Sequence, residues 1–190
     1  MKDFAEDWML TTECSWKGLC GVAVLAWAGL LASGLAGGRL AGGLAFALGL
    51  TVMGWLDSRT GFLPDRGNLV LALLALLFLA LGATVPFDDA VLGCLLGGFL
   101  LLSIRWLSHG GLGLGDVKYV MVLGLWLGWR ALLAALLTAF VAGAFAACFL
   151  IATGRASRRQ CLPFGPFLSF GSYVGYVKGV ELWQAYQSCF

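Results

Sequence analysis

The feature that most restricts this chain is a succession of long apolar runs separated by very short polar breaks. A spanning helix takes roughly 20 mostly apolar residues. Such stretches occur at about 17–36, 40–56, 69–85, 90–107, 117–130, 131–153 and 163–181. The fifth is short and passes almost directly into the sixth, with Gly128-Trp129-Arg130 as the only punctuation. The last is rich in glycine and aromatics and contains Lys178. Of the 190 residues, 61% are hydrophobic and only 12% charged, where a soluble domain carries about 25%. The expected architecture is therefore all-α: a polytopic membrane bundle of about seven helices, with six as the fallback. Residues 1–16 are read as a cytoplasmic segment and 17–190 as the membrane-embedded domain.

Glycine is abundant, at 28 residues, and suits close helix–helix approach in lipid. Gly34, Gly37, Gly38, Gly42, Gly43, Gly97 and Gly98 are placed for such packing. The segment before the first run holds Asp3, Glu6, Asp7 and Glu13 against Lys2 and Lys17, a poor basic leader. Ala32-Ser33-Gly34 is accordingly not read as a cleavage site. A net charge of +2 without a basic run argues against a nucleic-acid partner. The six cysteines include no CxxC pair and there is one histidine, His109, so neither a metal site nor a cofactor is expected. The cysteines read as small apolar residues of the helices.

Lysine and arginine in short loops set orientation. With the N-terminus cytoplasmic, Lys2, Lys17, Arg59, Arg66, Arg105, Lys118, Arg155, Arg158 and Arg159 fall on the cytoplasmic side. Arg39, Arg130 and Lys178 fall opposite, and the acidic pair Asp88-Asp89 lies in an outer loop.

Charges at or within spans are costly and mark function by default. Two segments stand out: Gly54-Trp55-Leu56-Asp57-Ser58-Arg59-Thr60-Gly61-Phe62-Leu63-Pro64-Asp65 and Gly111-Leu112-Gly113-Leu114-Gly115-Asp116-Val117-Lys118. Asp57 ends the second span and Asp116 begins the fifth. Two spans lie between them, and an even number of crossings returns the chain to the same face. Two carboxylates brought together cannot both ionise cheaply and share a proton. One then draws a proton from water while the other protonates or polarises a scissile carbonyl. Bare backbone at Gly113 and Gly115 would let an extended peptide approach and pair. Lys118 either favours ionisation of Asp116 or anchors the span at the interface, and the sequence leaves both open. Taken singly, Asp57 reads as a solvated helix-end acid and Asp116 as a cap on the next helix. Asp65 reads as a helix-capping acid after a turn. Arg59 and Arg66 read as headgroup or topology contacts, and His109 as a loop residue rather than a proton carrier.

At these residues the chain resembles the bacterial prepilin peptidases, membrane-embedded aspartyl proteases with a GxGD motif. The second site matches as Gly113-Leu114-Gly115-Asp116-Val117-Lys118. The first matches as Asp57, Arg59 and Leu63-Pro64-Asp65. A third match, Pro163-Phe164-Gly165-Pro166-Phe167-Leu168, resembles the segment that opens the family's last helix. The resemblance implies Asp57 and Asp116 as catalytic dyad, with Gly113, Gly115, Lys118, Arg59, Pro64, Pro163 and Gly165 around them. It implies a type IV prepilin or prepilin-like substrate, with a short basic leader ahead of a hydrophobic helix. Cleavage would occur at the cytoplasmic face of the bacterial inner membrane. Longer relatives carry two CxxC pairs near the N-terminus and methylate the product, and no such pairs occur here, so a peptidase-only form is expected. A small ion- or proton-coupled transporter using the same acids is the alternative reading.

Overall fold

The computed structural model describes residues 16–109, 111–154 and 163–188. Their regular structure is entirely helical: α1 Trp16–Ala32, α2 Gly37–Thr60, α3 Asp65–Ala80, α4 Phe87–Leu107, α5 Leu114–Ala152 and α6 Gly165–Ser188. The expected 1–16 segment lies, apart from Trp16, outside the described residues.

Local chemistry ends the helices where the sequence changes character. Pro64 and Pro86 stand at the N-caps of α3 and α4, where no intrahelical N–H is needed. They move both starts a few residues ahead of the apolar runs, which alone suggested 69 and 90. At its far end α6 continues past residue 181, and Lys178 pairs with Glu181 one turn on at 2.8 Å. Apolar side chains cover every face of these helices, and residues such as Leu25, Phe99 and Phe145 are largely exposed. That pattern belongs to a bundle solvated by lipid. By length and composition α2, α4 and α5 are each long and apolar enough to cross a membrane.

At 39 residues α5 would extend about 58 Å if straight, roughly twice a bilayer core. It does not run straight. Gly128 takes φ 70° and ψ 171°, a backbone state essentially reserved for glycine. Val120 and Leu132, on either side of it, both face Gly97 of α4. Tyr119 bonds to Ser169 of α6, while Gly143, far along the second limb, returns to Phe164 and Phe167. The helix is thus two limbs that fold back on each other, and the expected fifth and sixth spans are the halves of α5.

Small residues set the packing. A β-carbon on Gly93 of α4 would stand 2.6 Å from the Gly124 carbonyl oxygen of α5, so the two backbones touch. Gly171, Gly175 and Gly179 of α6 lie against Ala131, Ala135 and Ala139 of the returning limb. Of the glycines expected to pack, Gly38, Gly42, Gly43, Gly97 and Gly98 do. Gly34 and Gly37 do not: both have positive φ in the α1–α2 turn with nothing nearby. The core lies among α2, α3, α5 and α6, where Phe46 stacks on Trp126 at 4.9 Å. The Trp126 indole N–H donates to the Leu71 carbonyl at 3.1 Å, which gives this buried ring its polar partner. Cys20 and Cys148 are exposed on apolar helices and Cys94 is half-buried, all three free. Cys14, Cys161 and Cys189 lie outside the described residues.

Candidate active site at one end of the bundle

The alternation of helices brings the end of α2, the starts of α3, α5 and α6, and the end of α4 to one end of the bundle. Asp57 lies in the last turn of α2 and is 5% exposed. Its carboxylate Oδ2 accepts the Gly165 N–H at 2.7 Å, from the first residue of α6. A helix N-terminus presents unpaired N–H groups, so this geometry supplies Asp57 with the donor that burial would otherwise deny it. A β-carbon on Gly165 would stand 2.6 Å from that same oxygen and 2.7 Å from Asp57 Cβ. Only glycine allows the approach.

Residues around Gly165 aim it. The Phe164 carbonyl accepts the Phe167 and Leu168 N–H groups at 3.1 and 3.0 Å, which starts the helix. Pro166 then occupies a first-turn position whose missing N–H leaves no intrahelical bond unmade. Pro163 leads into this start, and Phe164 packs on Phe140 of α5.

Asp116 is half-buried in the first turn of α5, whose N-cap is Gly113. The Gly113 amide hydrogen-bonds back to the Asp116 carboxylate, one half of a capping box. The two acids interact electrostatically across the gap between α2 and α5. Gly113 is exposed and extended, whereas Gly115 is helical and packs on Leu63, 3.3 Å from a β-carbon placed there. Gly115 therefore seats the loop on the α2–α3 connection, and an open backbone face remains at Gly113 alone.

The other expected residues take definite places. Lys118 does not turn to Asp116: its ammonium sits between both Asp65 carboxylate oxygens, at 2.8 and 2.9 Å. Asp65 correspondingly makes no side-chain cap, and Pro64 caps α3 with its backbone. Arg59 lies over the Trp55 ring, 5.0 Å from its centroid. His109 is an exposed loop residue with φ 50°. Among the described residues no three His, Cys, Asp or Glu side chains stand close enough to hold a metal ion.

Sequence reasoning overlooked three features. The Arg105 guanidinium, at the end of α4, donates to the Leu112 carbonyl and so holds the glycine loop from behind. As a basic residue in a short loop, it had been absorbed into the orientation count. Tyr119 and Ser169, one turn inward from Asp116 and Gly165, form a buried hydrogen bond of 2.9 Å. Asn68 of α3 is buried, and its side-chain amide has no hydrogen-bond partner among the described residues. Beside Asp57, a wedge of about 470 Å³ opens between α1, α2 and α6, lined by Val22, Leu25, Trp55, Ser58, Pro166 and Phe170 among others.

Residues 44–148 match the model of the type IV leader peptidase family, a stretch that holds both acids and the glycine loop. The chain belongs to that family. A prepilin leader peptidase/N-methyltransferase of Burkholderia pseudomallei is 42% identical over 158 residues, 74% of this chain and 50% of the relative. Proteins of the same name in Aeromonas salmonicida and Pseudomonas aeruginosa are 34% and 30% identical, over 73% and 75% of the chain. They are covered to 50% and 51% of their own lengths, so this leader peptidase family member spans about half of the relatives it matches. No solved structure matches it. Nothing in the comparisons supports the ion-coupled transporter that the same acids had left open.

Proposed function

We propose that the chain is an aspartyl endopeptidase that removes the leader peptide of type IV prepilins or prepilin-like proteins, with Asp57 and Asp116 as its two catalytic carboxylates. The observation that carries this reading is the convergence of both acids at one end of the bundle, inside the stretch that matches the leader peptidase family. A water held between the carboxylates gives its proton to the ionised one as its oxygen attacks the scissile carbonyl carbon. The protonated partner gives its proton to the carbonyl oxygen. Collapse of the tetrahedral intermediate breaks the C–N bond: the first carboxyl passes its new proton to the leaving amine, and a hydroxyl of the diol returns a proton to the second carboxylate as the new carboxyl group forms. The Gly165 N–H occupies Oδ2 of Asp57, which leaves Oδ1 as the oxygen to exchange a proton with the attacking water.

The scissile bond enters beside Gly113, where the loop is exposed and carries no side chain to block a substrate's approach to Asp116. Lys118, Arg59 and Pro64 serve the site indirectly, by fixing the α2–α3 turn and the start of α5. The site end carries Arg59, Arg66, Arg105 and Lys118, and the opposite end Arg39, Arg130 and Lys178 with Asp88 and Asp89. That partition, read with the positive-inside rule, supports a cytoplasmic site and a bacterial inner-membrane location. Lys2, Arg155, Arg158 and Arg159, which also entered the orientation count, lie outside the described residues. These 190 residues hold no CxxC pair, which supports cleavage without methyl transfer.

Co-expression with a prepilin in bacterial membranes, followed by intact-mass measurement of the pilin, tests the reading. Loss of the leader mass without a gain of one methyl group is the expected result. A set of different prepilins left at full length would contradict it.

A further inference from the structure

One turn inward from the two acids, the same three helices meet a second time. The outer level holds Asp57 of α2, Asp116 of α5 and Gly165 of α6. The inner level holds Gly54, Tyr119 and Ser169, displaced by three or four residues along each helix and so on the same faces. At this level Tyr119 Oη and Ser169 Oγ are 2.9 Å apart, and Tyr119 is fully buried. Gly54 closes the group: a β-carbon there would stand 3.0 Å from Ser169 Oγ. The hydroxyl pair joins α5, which carries Asp116, to α6, whose first N–H holds Asp57.

We propose that the Tyr119–Ser169 hydrogen bond is a positioning contact that sets where Asp116 stands relative to Asp57. Asp57 is tied to α6 through Gly165, while the Asp116 carboxylate takes its bond from Gly113 at its own helix start. Gly115 on Leu63 and Lys118 on Asp65 seat the start of α5 against α2 and α3, and the docking of α5 on α6 is the remaining determinant of the separation of the acids. Lipid supplies no hydrophobic force to press helices together, so close packing and interhelical hydrogen bonds set their register. Tyr119 is fully buried and Ser169 lines the inner wall of the wedge between α1, α2 and α6, so the loss of the bond is expected to act on the dyad's geometry.

The catalytic part of this inference rests on the peptidase reading, and the test separates the two. In a chain whose native cysteines are replaced by alanine, Asp57→Cys and Asp116→Cys are joined by a short thiol cross-linker in membranes. The cross-linking rate is compared with and without Tyr119→Phe, which removes one oxygen at nearly constant shape, and with Ser169→Ala. Each variant is expected to change the rate several-fold while helix content is retained. In the cysteine-containing enzyme, Tyr119→Phe lowers kcat about tenfold with KM within about twofold, and shifts the pH profile of kcat. The double variant is no worse than the worse single one, since both remove the same bond. Unchanged cross-linking in both variants overturns the proposal, as does full multiplication of the two kcat losses. If wild type cuts no prepilin, the peptidase reading falls and cross-linking alone decides the positioning role.

Discussion

At Gly165 a hydrogen atom in place of a side chain lets a helix N-terminus reach a buried carboxylate, and the consequences of filling that space follow from the distances. Alanine there would put a carbon 2.6 Å from Asp57 Oδ2, so α6 must retreat or Asp57 must rotate. Gly165→Ala is expected to lower kcat about 100-fold, the scale set by misplacing a reacting group by about an ångström. Cleavage rates on purified protein with unchanged helix content check this. Lys118→Ala should cost far less, at most about fivefold, because its exposed ion pair with Asp65 contributes about 0–1 kcal/mol. The two acids were legible in the sequence because a carboxylate at a span end is costly and the parity of crossings put both at one face. The Gly165–Asp57 bond was not, since it joins residues 108 apart. For Lys118 the nearest acid in sequence was the wrong partner: helical geometry turns its side chain to α3.

Elements are held by where side chains are absent. Gly93 and Gly124 bring α4 and α5 into backbone contact, and α4 delivers Arg105 to the Leu112 carbonyl behind the glycine loop. Gly93→Val should destabilise the protein by about 1–3 kcal/mol, as overpacking a tight contact does. Gly21→Ala, inside α1 where a β-carbon meets nothing, should instead stabilise by up to about 1 kcal/mol. Unfolding in mixed micelles distinguishes the two. Helix existence was plain from the apolar runs, and even the break at Gly128 could be placed. Of the seven glycines the sequence marked for packing, Gly38, Gly42, Gly43, Gly97 and Gly98 touch a neighbour, Gly34 and Gly37 serve a turn, and the contacts at 93, 124, 171, 175 and 179 were not foreseen.

For the whole molecule, alternating passes gather the chemistry at one end and leave Arg39, Asp89, Arg130 and Lys178 at the other. Asp89 there accepts the Trp129 indole N–H at 3.1 Å and lies 3.8 Å from Arg130, tying the α5 reversal to α4. With the site end cytoplasmic, alkaline phosphatase fused at residue 84 should be active, and fused at residue 62 inactive. The opposite pattern would invert the proposed topology. The central claim is that two carboxylates share one hydrolysis. Asp57→Asn and Asp116→Asn, each co-expressed with a prepilin at wild-type levels, test it most directly through the intact mass of the pilin. The account predicts full-length prepilin with either variant and leader-free pilin with wild type. Cleavage at the wild-type rate by either variant would contradict it.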